Sequence, residues 1–451
     1  MAGDNVRMCP TVENLPDSWQ VKRLGSFCIK IGTGATPCGG SEVYLKSRVS
    51  HALVRSQHVF DRHFDATGLA FITEPHAKEL RSAEVHSGDV LLNITGDGVI
   101  FGRCCIVPER ILPACVNQHV SIIRPDRREC DPGYLLSVLT HPATKGYIES
   151  FNSGGSRRAI TKGHIESFEI PLPPLAEQKA IAAALGALDD KIELNRRMNA
   201  TLEAMARALF QSWFVDFEPV RAKIDGRQPL GMDRTTADQF PATFQNSSLG
   251  HIPSGWRTIP LYETAQYVNG AAFKNEDFCA AGEGLPVIKI AELKDGITTQ
   301  TKWSKRQAGP DQLIDTGDLL YSWSGSPDTS LDAFLWSGGR GLLNQHIFKV
   351  IAPTNAQMRF VYYLLQYLRP VLVETARNKQ TTGLGHVTVA DMKRLLVCWP
   401  TKEVFAAFDR IVGSIFDQAF ANTLQSRTLA TLRDTLLPKL LSGEVSVTSD
   451  L

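Results

Sequence analysis

From Pro174 onward the apolar positions of the chain fall into alternating steps of four and three. They run Ile181, Leu185, Leu188, Ile192, Asn195, Asn199, Leu202, Ala206, Leu209 and Trp213. A 3.5-residue period held for more than four heptads predicts a helix with a coiled-coil seam rather than a merely amphipathic one. Pro173 and Pro174 suit the start of this helix, and Pro219 bounds its end. A second stretch keeps the same register through Phe408, Val412, Ile415, Ala419, Asn422, Ser426, Leu429, Arg433, Leu436 and Leu440, with Thr401 placed as its N-cap. Asn195 and Asn422 occupy equivalent seam positions, where a buried amide lowers stability but fixes register and partner. Two seams of equal length in one chain are natural partners for each other. About 40 residues at 1.5 Å each make a rod of roughly 60 Å, the length of roughly 17 base pairs of B-DNA.

Ahead of each predicted helix the pattern is different. Val90–Ile94 and Leu319–Trp323 are short apolar runs bounded by glycine, and His119–Ile123 and His346–Val350 are two more. All four read as strands. Short helices are expected at Tyr134–Leu139 and Phe360–Leu368.

The two regions are copies. Asn117-Gln118-His119 recurs as Asn344-Gln345-His346, an offset of 227 residues, and the same offset carries Thr161 to Thr388, Leu188 to Ile415 and Asn195 to Asn422. Upstream the offset drifts, as loop insertions require. Ser87-Gly88-Asp89 faces Thr316-Gly317-Asp318, and Pro16-Asp17-Ser18-Trp19 faces Pro253-Ser254-Gly255-Trp256. A single duplication of half a chain is not a solenoid, whose repeat is about 20–50 residues. The expected fold is α+β: two β-rich domains in tandem, each followed by a long helix, the helices pairing as a coiled coil. The divisions are 1–173 and 252–400 for the β-rich domains, 174–214 and 401–451 for the helices with the C-terminal tail, and 215–251 as a linker.

With 451 residues, several domains are expected. A charged fraction of 21% and a net charge of +1 fit a soluble globular protein and lend no support to nucleic-acid binding from total charge alone. Nine cysteines without paired metal spacing read as reduced thiols, and the absence of a signal peptide or a long apolar run points to the cytoplasm. No phosphate loop, zinc-protease signature, nucleophile elbow or Asn/Asp-Pro-Pro-aromatic motif occurs. Gly96-Asp97-Gly98-Val99-Ile100-Phe101-Gly102 imitates a dinucleotide loop, but its spacing is wrong and no helix pattern follows, so a hairpin turn is expected. A catalytic or metal-binding role for Asn-Gln-His is weakened by its second occurrence. Strand-end scaffolding or a polar contact surface remains, and scaffolding is favoured because identical residues cannot tell two sequences apart.

Other segments are better placed to touch nucleic acid. Ser153-Gly154-Gly155-Ser156-Arg157-Arg158, with Lys162 beyond it, combines small residues with arginines that can meet phosphates or guanine edges. Its counterpart around Lys379, Thr381, Thr382 and His386 keeps the glycines and loses the arginines. The glycine-bearing loops holding Thr33 and Thr36, and in the second copy Lys274, are further candidates; solvated turns are the plainer alternative.

The chain resembles the specificity subunits of type I restriction–modification systems. The resemblance is carried by Ile170-Pro171-Leu172-Pro173-Pro174-Leu175-Ala176-Glu177-Gln178 leading into the heptads, by Leu209 to Pro219, and by the two Pro-x-x-Trp starts. It implies two target-recognition domains that each read half of a split DNA site, with the helices antiparallel between them as the spacer. It also implies no cofactor in this chain. S-adenosylmethionine would belong to two methyltransferase subunits docked on the helices, and ATP with magnesium to a translocase-nuclease subunit. The second helix departs from the pattern, with Cys398-Trp399-Pro400-Thr401-Lys402-Glu403-Val404 in place of the Pro-Pro-Leu-x-Glu-Gln form. Two other readings compete: a coiled-coil scaffold with two protein-binding heads and no DNA role, and a nucleotide-using enzyme built on the 96–102 loop.

Overall fold

The computed structural model describes residues 15–96, 99–151, 158–380 and 384–447. The chain forms two units, one from residues 1–194 with 426–451 and the other from 195–425. The division falls within both long helices, which span Leu175–Phe214 and Lys402–Leu441.

In the first unit one four-stranded sheet has the order Cys104–Ile106, Val90–Asn93, Val120–Pro125, Cys28–Thr33, all antiparallel. A second has the order Ala70–Ile72, His51–Val54, Ala114–Val116, Glu84–Val85, with its two middle strands parallel. Side chains alternate along a strand, so Leu91, Val120 and Ile122 enter one core cluster while Val90, Leu92 and Ile123 enter another with the helices. Burial on both faces explains why these strands read as continuous apolar runs. The 99–102 segment is a turn between the paired strands Val90–Asn93 and Cys104–Ile106, as a hairpin requires.

The second unit repeats this plan. Gln266–Asn269, Ile347–Ile351, Leu319–Ser322 and Asp332–Leu335 form the first sheet. The second contains Leu285–Ile288 parallel to Gly341–Leu343. The register fixes the correspondence: Ser121 lies opposite Thr33, and Phe348 opposite Asn269.

Each Pro-x-x-Trp start leads into a strand that pairs with the strand running into the long helix. Gln20–Arg23 pairs with Glu169–Leu172, and Arg257–Pro260 with Leu396–Trp399. Both tryptophans are buried. Gln178, at the end of the Pro-Pro-Leu-Ala-Glu-Gln run, is a buried staple. Its Nε2 donates to the carbonyls of Glu129 (3.0 Å) and Pro173 (2.9 Å), and its Oε1 accepts from Asp131 N (3.0 Å). The equivalent position in the second copy is Phe405, packed on Phe360 (4.9 Å) and Trp399 (4.8 Å). The departure from the motif is therefore an exchange of a hydrogen-bonded anchor for an aromatic one.

Within each unit the helix segments pair antiparallel. In the first, Ile181 and Leu185 share a core with Leu436, Leu437 and Leu440, and Asp189 binds Arg433. In the second, Phe408 packs edge-on against Phe214 at 4.9 Å, and Asn195 and Asn199 meet the 419–425 turns. Ile181, Leu185, Asn195, Phe408, Val412 and Asn422 are buried; Leu188, Ile192, Leu202, Leu209, Ile415, Leu429 and Leu436 are half-buried. The seam amides form a ladder: Asn195 Nδ2 donates to Gln425 Oε1 (2.9 Å), Asn422 Nδ2 to Asn199 Oδ1 (2.9 Å), and Asn199 Nδ2 to Ala419 O (2.9 Å).

Two sequence expectations change. The 215–251 stretch is a folded element of the second unit rather than a loose linker, with helices Glu218–Ile224 and Arg234–Asp238 and a hairpin Phe244–Ser247/Gly250–Pro253. Val220, Met232, Ala237 and Phe240 of this stretch join the core around Trp213 and Trp256. The helix expected over 360–368 spans Asn355–Arg377. Pro370 lies inside this helix at an exposed position.

Candidate nucleic-acid interface

In both units Asn-Gln-His is the crossing from one sheet to the other. It joins Ala114–Val116 to Val120–Pro125, and Gly341–Leu343 to Ile347–Ile351. Asn117 N donates to Val54 O, and Asn344 N to Ile288 O, each at 3.0 Å, which extends the parallel strand pair by one residue. Both asparagines are buried, and Asn117 Oδ1 accepts from His119 N at 3.1 Å. They are scaffolding. The Gln and His are partly or fully exposed in both copies, and their amide and ring nitrogens Nε2 lie 3.3 Å apart in each.

Two glycine loops close in on the turn. A Cβ on Gly34 would sit 1.7 Å from Val116 O, and one on Gly270 would sit 2.2 Å from Asn344 O. Only glycine allows that approach. On another side Ile94 N donates to His119 O and Ile160 N to Ile94 O, both at 3.0 Å, while Arg158 pairs with Gly96. In the second unit Trp323 N donates to His346 O (3.4 Å), Val387 N to Trp323 O (2.9 Å), and His386 pairs with Ser324. Segments far apart in sequence thus meet around the same turn in each unit.

The fill differs. In the first unit Thr36 Oγ1 donates to Gln118 Oε1 (2.5 Å), and Thr95 Oγ1 lies 2.6 Å from His119 Nδ1. In the second, Trp323 stands edge-on to His346 (5.7 Å between ring centres) and its Nε1 donates to Asn269 Oδ1 at 3.2 Å. The sequence reading did not single out Thr95, Asn269 or Trp323 as partners of the turn; only the pairing register reveals them.

The basic candidates are mostly engaged. Arg158 lies 3.7 Å from Glu149, Lys162 lies 3.5 Å from Glu166, and Lys274 lies 3.7 Å from Glu276; the last two pairs are well exposed and contribute little stability. Lys379 holds both Asp391 oxygens at 2.6 Å. Burial opposes ionisation of Asp391, but Lys379 and the Thr388 hydroxyl and amide overcome it and hold its carboxyl down at about 2. Lys379 therefore anchors the start of helix Val389–Arg394, which Thr388 and Asp391 cap. Thr33 ends its strand exposed, opposite Ser121. Ser156, Arg157, Thr381 and Thr382 lie outside the described residues.

Comparison with known proteins agrees with this architecture. Residues 16–204 match the family model described as the type I restriction modification DNA specificity domain. The chain is similar to the Type I restriction enzyme HindI specificity subunit of Haemophilus influenzae, at 24% identity over 80% of this chain and 87% of that one. It is also similar to the MjaIX specificity subunit of Methanocaldococcus jannaschii, at 22% identity over 97% and 95%. Its fold is similar to that of the type I system S subunit from M. genitalium, with a TM-score of 0.54 at 14% identity, covering 96% and 98% of the two chains. Residues 16–204 thus resemble a DNA specificity domain, and the chain over most of its length is similar to type I specificity subunits. Among the described residues no helix is long and apolar enough to cross a membrane.

Proposed function

We propose that this chain is the non-catalytic DNA-reading subunit of a cytoplasmic type I complex, and that each β-rich domain reads one half of a bipartite target. The observation that carries this is the duplication itself. One frame of two sheets is built twice, around one turn, with different side chains filling it. Two readers of different half-sites need that combination. The paired helices set the spacing between half-sites. Their outward faces dock two methyltransferase subunits, which would hold S-adenosylmethionine, while a translocase-nuclease subunit would use ATP and magnesium.

A test is to purify the chain with its methyltransferase partner and measure duplex binding as salt is raised. Binding that weakens steeply with salt, and that prefers one bipartite sequence, is expected. A complex that binds no duplex, or all duplexes equally, would favour the protein-binding scaffold instead.

A further inference from the structure

We infer that Gln118-His119 and Gln345-His346 are the contacts that both domains make to the DNA backbone, and that the residues ringing them make the contacts that differ. The inference rests on the DNA-reading function and goes further by dividing each interface into a common part and a particular part.

The common part repeats in detail. Each Gln-His pair follows a buried Asn that ties the turn to the neighbouring strand, and each has the same 3.3 Å contact between amide and ring nitrogens. Each is approached by a glycine whose replacement would collide with the turn's own backbone. A second glycine flanks each turn, Gly96 at φ 155° and Gly325 at φ 117°, both unfavourable for other residues. The ground beside the pair is therefore low and made of backbone. That suits a continuous polyanion lying across it, since side-chain amides donate to phosphate oxygens, with the histidine orienting the amide beside it. In the first unit the pair is held ready: Thr36 donates to Gln118 Oε1, Thr95 engages His119 Nδ1, and one amide hydrogen of Gln118 faces His119 Nε2, so the second amide hydrogen of exposed Gln118 is the donor offered to a phosphate.

Identical residues in two readers can specify only what the half-sites share, and every duplex shares its sugar-phosphate backbone. The surrounding positions are not identical. Thr95 corresponds to Ser324, Ile94 to Trp323, Thr33 to Asn269 and Thr36 to Ala272, by the strand registers. Trp323 is the largest difference. Its ring stands against His346 and its Nε1 is committed to Asn269, which gives the second domain an apolar edge where the first has a threonine-lined polar one.

The test is equilibrium binding of the full chain with its methyltransferase partner to three duplexes: the target read from the host's modified bases, the same with the first half-site scrambled, and an unrelated sequence. The double substitution Gln118→Ala with His119→Ala should weaken all three by a common factor of about tenfold, the loss of roughly one hydrogen bond to a charged group. The ratios between duplexes should stay as in the wild type. Gln118→Glu keeps the side-chain length and the Thr36 bond but sets a negative charge toward phosphate. It too should weaken all three alike, and it serves if the double variant does not fold. Unchanged binding by folded variants overturns the proposal, as does loss of discrimination at the first half-site alone. A wild-type complex that does not distinguish the target from the unrelated duplex would instead overturn the DNA-reading function beneath it.

Discussion

Asp189→Ala is expected to destabilise the first unit by about 3 kcal/mol, the lower end of the range for removing one partner of a buried ion pair. Asp189 sits between two arginines. Arg62 Nε donates to Oδ2 at 2.7 Å and Arg433 Nη1 to Oδ1 at 2.8 Å, and the Arg62 side chain is only 6% exposed. Arg62 stands at a φ of 59° at the tip of a hairpin and also donates to Ser137 (3.2 Å) and Thr140 (2.9 Å). Without the carboxylate two guanidinium groups face each other with no shared counter-charge. Arg433 keeps Asp434 at 2.8 Å, which is why the lower end applies. Hydrogen exchange over residues 175–194 is the measurement, because it reports on this unit alone. Protection there should fall by about 100-fold; unchanged protection would show that the triad is not holding the helix to the hairpin.

Phe408→Ala should destabilise the second unit by about 3–5 kcal/mol. Phe408 has no exposed surface and meets four aromatic rings: Phe214 at 4.9 Å, Trp213 at 5.8 Å, Phe210 at 6.2 Å and Tyr363 at 6.3 Å. Interlocked rings of this size collapse poorly around a void, so the cavity persists and its loss adds to the lost burial. Exchange over 402–416 and 206–214 should accelerate together, since both helices lean on the same ring. Acceleration of one without the other would mean that the helices are not packed through Phe408.

These two sites also show how far the duplication has diverged. Asp189 and Arg433 correspond at the 227-residue offset to Phe416 and Ala206. The first unit joins its helices there through charge, and the second through the aromatic core that holds both Ala206 and Phe416. Gln178 and Phe405 repeat the exchange of polar for apolar.

Much of this was legible in the sequence. The heptads declared both helices because a 3.5-residue period over 40 residues has few competing explanations. The offset between the Asn-Gln-His turns aligned the two copies. What escaped was short or non-local. Strands such as Glu84–Val85 and Leu313–Ile314 have two residues each, too few to display alternation. The 215–251 stretch has no period, and its Phe217 and Phe240 find Trp256, with Phe244 against Phe217, only through tertiary packing. The repeated Asn-Gln-His letters mark the turn as shared, but nothing in them shows how the three residues divide. Asn faces inward to hold the strands, while Gln and His face outward. Its partners Thr95 and Trp323 lie on strands whose register no local motif reveals.

The central claim is that each domain reads its own half-site. The most direct measurement replaces residues 1–173 with those of a relative that has a different target, then sequences the modified bases in the host genome. The account predicts that one half of the modified sequence changes while the other half and the spacing between them stay as they were. A change in both halves, or in neither, would contradict it.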